Sequence, residues 1–138
     1  MNKNNQPITY EGGCHCGAVR FKVIIDRDEV YNCNCSICRK KGFLHLIVPP
    51  ENFTLLRGND SLITYTFNTH IAQHTFCKIC GIHPFYRSRS HPEAFDVNLR
   101  CLDQDLLSQF KVIPFDGANW EKMCIRLEDS YQVLITNF

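Results

Sequence analysis

Residues 12–25 read GGCHCGAVRFKVII, a metal-type cysteine pair running straight into a strand. Val19, Phe21, Val23 and Ile25 recur with period two, while Arg20, Lys22 and Ile24 take the other face, the pattern of a half-buried β-strand. Glycines on both sides of Cys14-His-Cys16 let the chain turn tightly before that strand begins. Further along, residues 62–67 (LITYTF) are β-branched and aromatic, and residues 45–48 and 53–56 flank Pro49-Pro50 as two more strands. Residues 94–99 make another. Glycines and prolines are spread evenly from Gly12 to Gly117, leaving little room for long helices. Short helices are expected just after Cys35 (SICRKK) and over residues 102–110 (LDQDLLSQF), with Asp103 as cap. The tail, residues 131–138, carries an apolar strand-like patch, YQVLI. The reading is one mainly-β domain over residues 1–138, with minor short helices.

Of 138 residues, 44% are apolar and 21% charged, which excludes disorder, coiled coil and collagen as descriptions of the chain. Lys+Arg less Asp+Glu is 15 − 14 = +1, so there is no global field to draw nucleic acid or an anionic membrane. The start, MNKNNQPITY, has no apolar core of a secretory signal, and no apolar run approaches the roughly 18 residues of a membrane span. Together these point to the cytoplasm, where disulfides do not persist. The chain nevertheless holds nine cysteines, an odd count, which favours metal or catalysis over a disulfide framework.

Seven of the nine fall into three clusters: Cys14 and Cys16; Cys33, Cys35 and Cys38; Cys77 and Cys80. A closed structural zinc takes four ligands in a tetrahedron, and seven is four plus three. The simplest division has Cys14, Cys16, Cys77 and Cys80 close one zinc. Cys33, Cys35 and Cys38 then hold a second with one position open, the arrangement of catalytic zinc. Alternatively, His15, His45 or His74 closes the triplet and both sites are structural. Cys101 and Cys124 stand apart and are assigned to packing, as is Trp120.

The same residues carry a family resemblance. Residues 12–21 (GGCHCGAVRF), 33–42 (CNCSICRKKG) and 74–89 (HTFCKICGIHPFYRSR) resemble the signature blocks of the glutathione-dependent formaldehyde-activating (GFA) family, which also contains centromere protein V. TYTFNTH at 64–70 and FDGANWE at 115–121 tilt the likeness toward the centromere protein V branch. The resemblance covers about residues 8–121. It implies several curled antiparallel β-sheets pinned by zinc, similar to type B methionine sulfoxide reductases. It also implies a structural zinc at Cys14, Cys16, Cys77 and Cys80 and a catalytic zinc at Cys33, Cys35 and Cys38. The implied activity joins a glutathione-like thiol to a formaldehyde-like aldehyde, formally a carbon–sulfur lyase read in reverse.

Zinc ionises a bound thiol at neutral pH, and thiolate rather than thiol is the nucleophile. Arg39, Lys40 and Lys41 follow Cys38 and are placed to offset an anionic cluster or meet substrate carboxylates. Asn34 and Ser36 are candidates for hydrogen bonds to the ligand sulfurs, though backbone N–H groups do this as often. His83 or Tyr86 can serve as acid or base beside the open position, but an apolar strand with Pro84 at its edge explains that segment better. The competing reading is a non-catalytic zinc-stabilised binding module of the centromere protein V type; closure of the triplet by a protein side chain distinguishes it.

Overall fold

The structure is a computed structural model and describes residues 6–119. Among the described residues ten strands form three sheets. β1 (Ile8–Gly13), β2 (Arg20–Ile25) and β5 (Phe53–Arg57) make a three-stranded antiparallel sheet with β2 in the middle. β3 (Glu29–Cys33), β4 (Leu44–Val48), β8 (Phe85–Tyr86), β9 (Phe95–Asn98) and β10 (Lys111–Phe115) make a five-stranded sheet ordered β10-β3-β4-β9-β8. β6 (Leu62–Tyr65) and β7 (His74–Cys77) pair by themselves. Among the described residues the only α-helix is α1 (Ser36–Lys41), and no helix is long and apolar enough to cross a membrane.

The alternation read in residues 19–25 holds. Val19, Phe21, Val23 and Ile25 are buried, whereas Lys22 is exposed. Phe21 stacks on Phe53 at 5.5 Å between centroids, and Phe53 in turn stacks on Phe95 at 4.1 Å and meets Phe85 at 4.7 Å. One aromatic cluster thus joins the three-stranded and five-stranded sheets. Truncating a fully buried Phe in such a place costs about 3–5 kcal/mol.

Two expectations are corrected. The sheets are not all antiparallel: β10 pairs with β3 in parallel, Val112 beside Val30 and Phe115 beside Cys33. A parallel partner needs a long crossover, and here almost the whole domain intervenes. Pro114, which has no N–H to give, is tolerated because β10 is an edge strand. The helix expected over residues 102–110 is absent; only Leu107–Gln109 form a 3₁₀ turn. Leu102, Leu106 and Phe110 are buried at helix-like spacing, but tertiary bonds take the segment instead. Arg20 Nη1 donates to Asp103 Oδ1 at 2.8 Å, and the Asp103 N–H donates to the Glu11 carbonyl at 2.9 Å, so Asp103 caps nothing. The strand expected in residues 131–138 lies outside the described residues.

Candidate metal centre

Two turns bring the first group of sulfurs together. After β1 the chain reverses so that the Cys14 N–H donates to the Val19 carbonyl at 3.1 Å, with Gly17 at φ +83°. After β7 a second turn closes with the Gly81 N–H on the Cys77 carbonyl at 2.8 Å and Gly81 at φ +78°. A side chain at either glycine would force a left-handed backbone that L residues rarely adopt. Cys14 Sγ lies 3.6 Å from Cys16 Sγ, which lies 3.7 Å from Cys77 Sγ. All four sulfurs, Cys80 included, lie within 4.8 Å of one another. These spacings match the roughly 3.8 Å edge of a zinc–thiolate tetrahedron and are far from the roughly 2.05 Å of a disulfide. Backbone N–H groups of Val19 and Ile79 point at the Cys14 and Cys77 sulfurs at 3.3 and 3.4 Å, as thiolate ligands require.

The second group forms where β3 gives way to α1. Cys33 ends β3, Cys35 is the N-cap of α1, and Cys38 is buried on the helix's inner side. The cap is itself a sulfur interaction: the Cys38 N–H donates to Cys35 Sγ at 3.4 Å, and the Cys35 N–H donates to Cys33 Sγ at 3.5 Å. The three sulfurs lie within 4.8 Å of one another, and among the described residues no histidine, acid or fourth cysteine joins them. Left to themselves, three thiols this close share a single charge. Hydrogen bonds from Cys33 and Cys38 pull Cys35 down to about 2, while the bond to Cys35 helps push Cys33 up to about 11. Cys38 is driven far up by its two sulfur neighbours and by burial. Full ionisation of the trio therefore calls for a cation, which is the donor chemistry of a zinc site.

A strap from the far end of the chain lies across the trio. The Asn34 N–H donates to the Phe115 carbonyl at 3.2 Å, Asn34 Nδ2 donates to Asp116 Oδ1 at 3.1 Å, and the Ala118 N–H donates to Asn34 Oδ1 at 3.0 Å. Asn34, expected as a donor to sulfur, is thus committed to the strap, and the donors that reach the sulfurs are the backbone groups of Cys35 and Cys38.

The trio opens into a cavity of about 490 Å³. Its walls include Tyr31, Ile47, Phe67 and Phe115, together with His45, His74, Tyr86 and Asp96. His45 Nδ1 is 2.8 Å from Asp96 Oδ2 with both side chains buried, and the Tyr86 hydroxyl lies 3.3 Å from the same nitrogen. His74 stacks on Tyr86 at 4.8 Å. Of the three basic residues after Cys38, only Lys41 turns inward; Arg39 and Lys40 are exposed. Lys41 Nζ sits 4.0 Å from the Tyr86 ring centre and 4.5 Å from that of Phe43, and donates to His74 Nδ1 at 3.2 Å. Burial lowers the Lys41 ammonium, with the nearby thiols and Asp96 pulling the other way. Burial and the Lys41 charge hold His74 down at about 4. Burial, reinforced by the Asp96 charge, pushes the Tyr86 phenol well above its ordinary value.

The remaining residues singled out by the sequence are placed as follows. His15 and His70 are exposed, and His91 is buried beside Ser90. His83 lines a separate groove with Lys40, Tyr65 and Phe76 and takes no part in the trio's cavity. Tyr86, its companion in the expected acid–base role, does line that cavity, and β8 is an edge strand just after Pro84. Cys101 is half-buried, its thiol facing the His83 carbonyl at 3.7 Å, and Cys124 and Trp120 lie outside the described residues. Asp96 was missed. Its signal was present as an acid between Phe95 and Val97 in an expected strand, where an inward carboxylate demands a partner.

The family model described as "Glutathione-dependent formaldehyde-activating enzyme" matches residues 9–114. A protein of Halomonas elongata named "Putative glutathione-dependent formaldehyde-activating enzyme" is 61% identical over 105 residues, covering 70% of this chain and 67% of that protein. A crystal structure of a Rhodobacter sphaeroides protein superposes with a TM-score of 0.68 at 34% identity, covering 75% of this chain and 97% of the other. With its family model spanning most of the described residues, this chain belongs to the glutathione-dependent formaldehyde-activating enzyme family.

Proposed function

We propose that the chain is a single zinc domain over residues 1–138 that forms or cleaves the adduct between a glutathione-like thiol and a formaldehyde-like aldehyde in the cytoplasm. The reaction is that of a carbon–sulfur lyase: the thiol S–H breaks, a C–S bond forms at the carbonyl carbon, and the carbonyl oxygen takes up the proton. Cys14, Cys16, Cys77 and Cys80 hold a structural zinc. That zinc ties the β1–β2 turn to the end of β7 in a fold like that of type B methionine sulfoxide reductases. Cys33, Cys35 and Cys38 hold the catalytic zinc. Zinc bound there would supply the positive charge that keeps thiolates ionised at neutral pH.

The chain's own residues do the rest. Tyr31, Ile47, Phe67 and Phe115 wall the cavity with apolar surface, limiting the water that competes for the aldehyde. Lys41, its ammonium over the Phe43 and Tyr86 rings, adds a positive charge whose field reaches the thiols.

The observation that carries this reading is the trio of sulfurs opening into a cavity with no further ligating side chain among the described residues. A closed binding module has no use for such an opening. The test combines zinc counting with exchange NMR of glutathione and its hydroxymethyl adduct, measured against the uncatalysed rate. Two zinc ions per chain and faster exchange are expected. One zinc per chain, or exchange at the background rate, overturns the proposal.

A further inference from the structure

His45 and His74 line one cavity, and their hydrogen-bond partners call for opposite tautomers. A carboxylate oxygen accepts, so the 2.8 Å contact with Asp96 makes Nδ1 the donor side of the His45 ring and turns Nε2 away from that bond. Lys41 is a donor only, so His74 Nδ1 accepts at 3.2 Å and the hydrogen of His74 sits on Nε2. One ring is set to take a proton and the other to give a hydrogen bond.

Stability does not explain the first of these arrangements. The His45–Asp96 pair is buried, 5% and 3% exposed, where a well-packed apolar pair would serve the fold at least as well. It also leaves two buried polar atoms, His45 Nε2 and Asp96 Oδ1, without a protein partner. Such atoms are rare in native proteins. They belong to residues that line the same cavity as the three sulfurs.

We infer that His45 is the proton carrier of the thiol–aldehyde reaction and that His74 is the donor that holds the aldehyde oxygen. This rests on the function proposed above. The thiol first gives its proton to His45 Nε2, and the resulting thiolate forms the C–S bond. The carbonyl π pair moves to oxygen, where the His74 Nε2–H meets it, and His45 then delivers its proton to that oxygen. No oxidant, reductant or further reactant is needed, and the reverse path cleaves the adduct. Asp96 is a positioning residue that fixes the His45 ring, and Lys41 does the same for His74. The depressed proton affinity of His74 fits a neutral ring acting as donor.

The test uses the zinc-loaded full chain. Long-range ¹H–¹⁵N spectra of the histidine rings read the tautomers directly. The Nδ1–H form is expected for His45 and the Nε2–H form for His74, and Asp96→Asn is expected to mix the His45 forms. In the exchange assay His45→Gln is expected to lose a hundredfold or more of the catalysed rate, and His74→Phe, which keeps the stacking on Tyr86, about tenfold. Zinc content is expected to remain at two in both. An active wild-type protein whose His45→Gln variant keeps its rate overturns this inference and spares the functional reading. Should that variant fail to fold, a wild-type His45 in the Nε2–H form overturns it equally. A wild-type protein that leaves exchange at background overturns the functional reading, and this inference with it.

Discussion

Gly117 lies against Cys33 so closely that a Cβ on Gly117 would overlap the Cys33 sulfur and press on Cys35 Cβ at 3.0 Å. The glycine is there for space. Its backbone is ordinary, so a substitution meets a steric obstacle and no conformational one. Gly117→Ala is therefore expected to displace the strap or the trio. Zinc content should drop from two ions toward one per chain, with adduct exchange lost and the melting temperature little changed. Metal analysis and calorimetry on the same sample check this.

The two sulfur groups are expected to fail differently. Cys77 is fully buried at the end of β7, and its sulfur is shared with a turn 61 residues earlier. Structural zinc sites carry about 10–16 kcal/mol, comparable to the whole stability of a domain. Cys77→Ser should abolish the cooperative thermal transition. Cys35→Ser should lower the melting temperature by only a few degrees while removing catalysis. Equal losses would mean that both ions are structural.

Lys41 and His74 are electrostatically tied. Lys41→Met keeps the packing on Phe43 and Tyr86 but removes the cation that depresses His74. The His74 ring should then titrate above about 4, by an amount that NMR titration reads, and the KM for an anionic thiol should rise several-fold while kcat changes less.

Acid stability follows from the same residues. His74 and His83 are both lowered from 6.5 to about 4, chiefly by burial and then by Lys41. Below about 6.5 the unfolded chain takes protons that the folded chain refuses until about 4, so stability falls as pH falls through that window and is level above it. Melting curves of wild type and His74→Phe should diverge least near pH 7, and the wild-type curve should drop more steeply toward pH 4.5.

Much of this was legible in the residue string, and what was not has a common cause. The alternation in residues 19–25 and the helix after Cys35 are local patterns and appear as read, and the cysteine pairs, local in spacing, gather as a four and a three. Strand β10 and its parallel seat beside β3 were missed because pairing partners 82 residues apart leave no mark in either segment. The helix over residues 102–110 failed for the same reason: the competing partners, Arg20 and Glu11, belong to another sheet. The sequence put His83 forward as acid or base and had no spacing to single out His45. What separates His45 from His70 is a carboxylate reached across β4 and β9, a relation that exists only once the sheet has formed.

The strap has a consequence for how the protein matures. The Cys14, Cys16, Cys77 and Cys80 group is complete once residue 80 has left the ribosome, whereas the floor against which Cys33 rests arrives with Gly117. Nascent chains would thus load their metals in sequence, and a truncated product ending before β10 would carry a finished clasp and an unfinished reaction chamber.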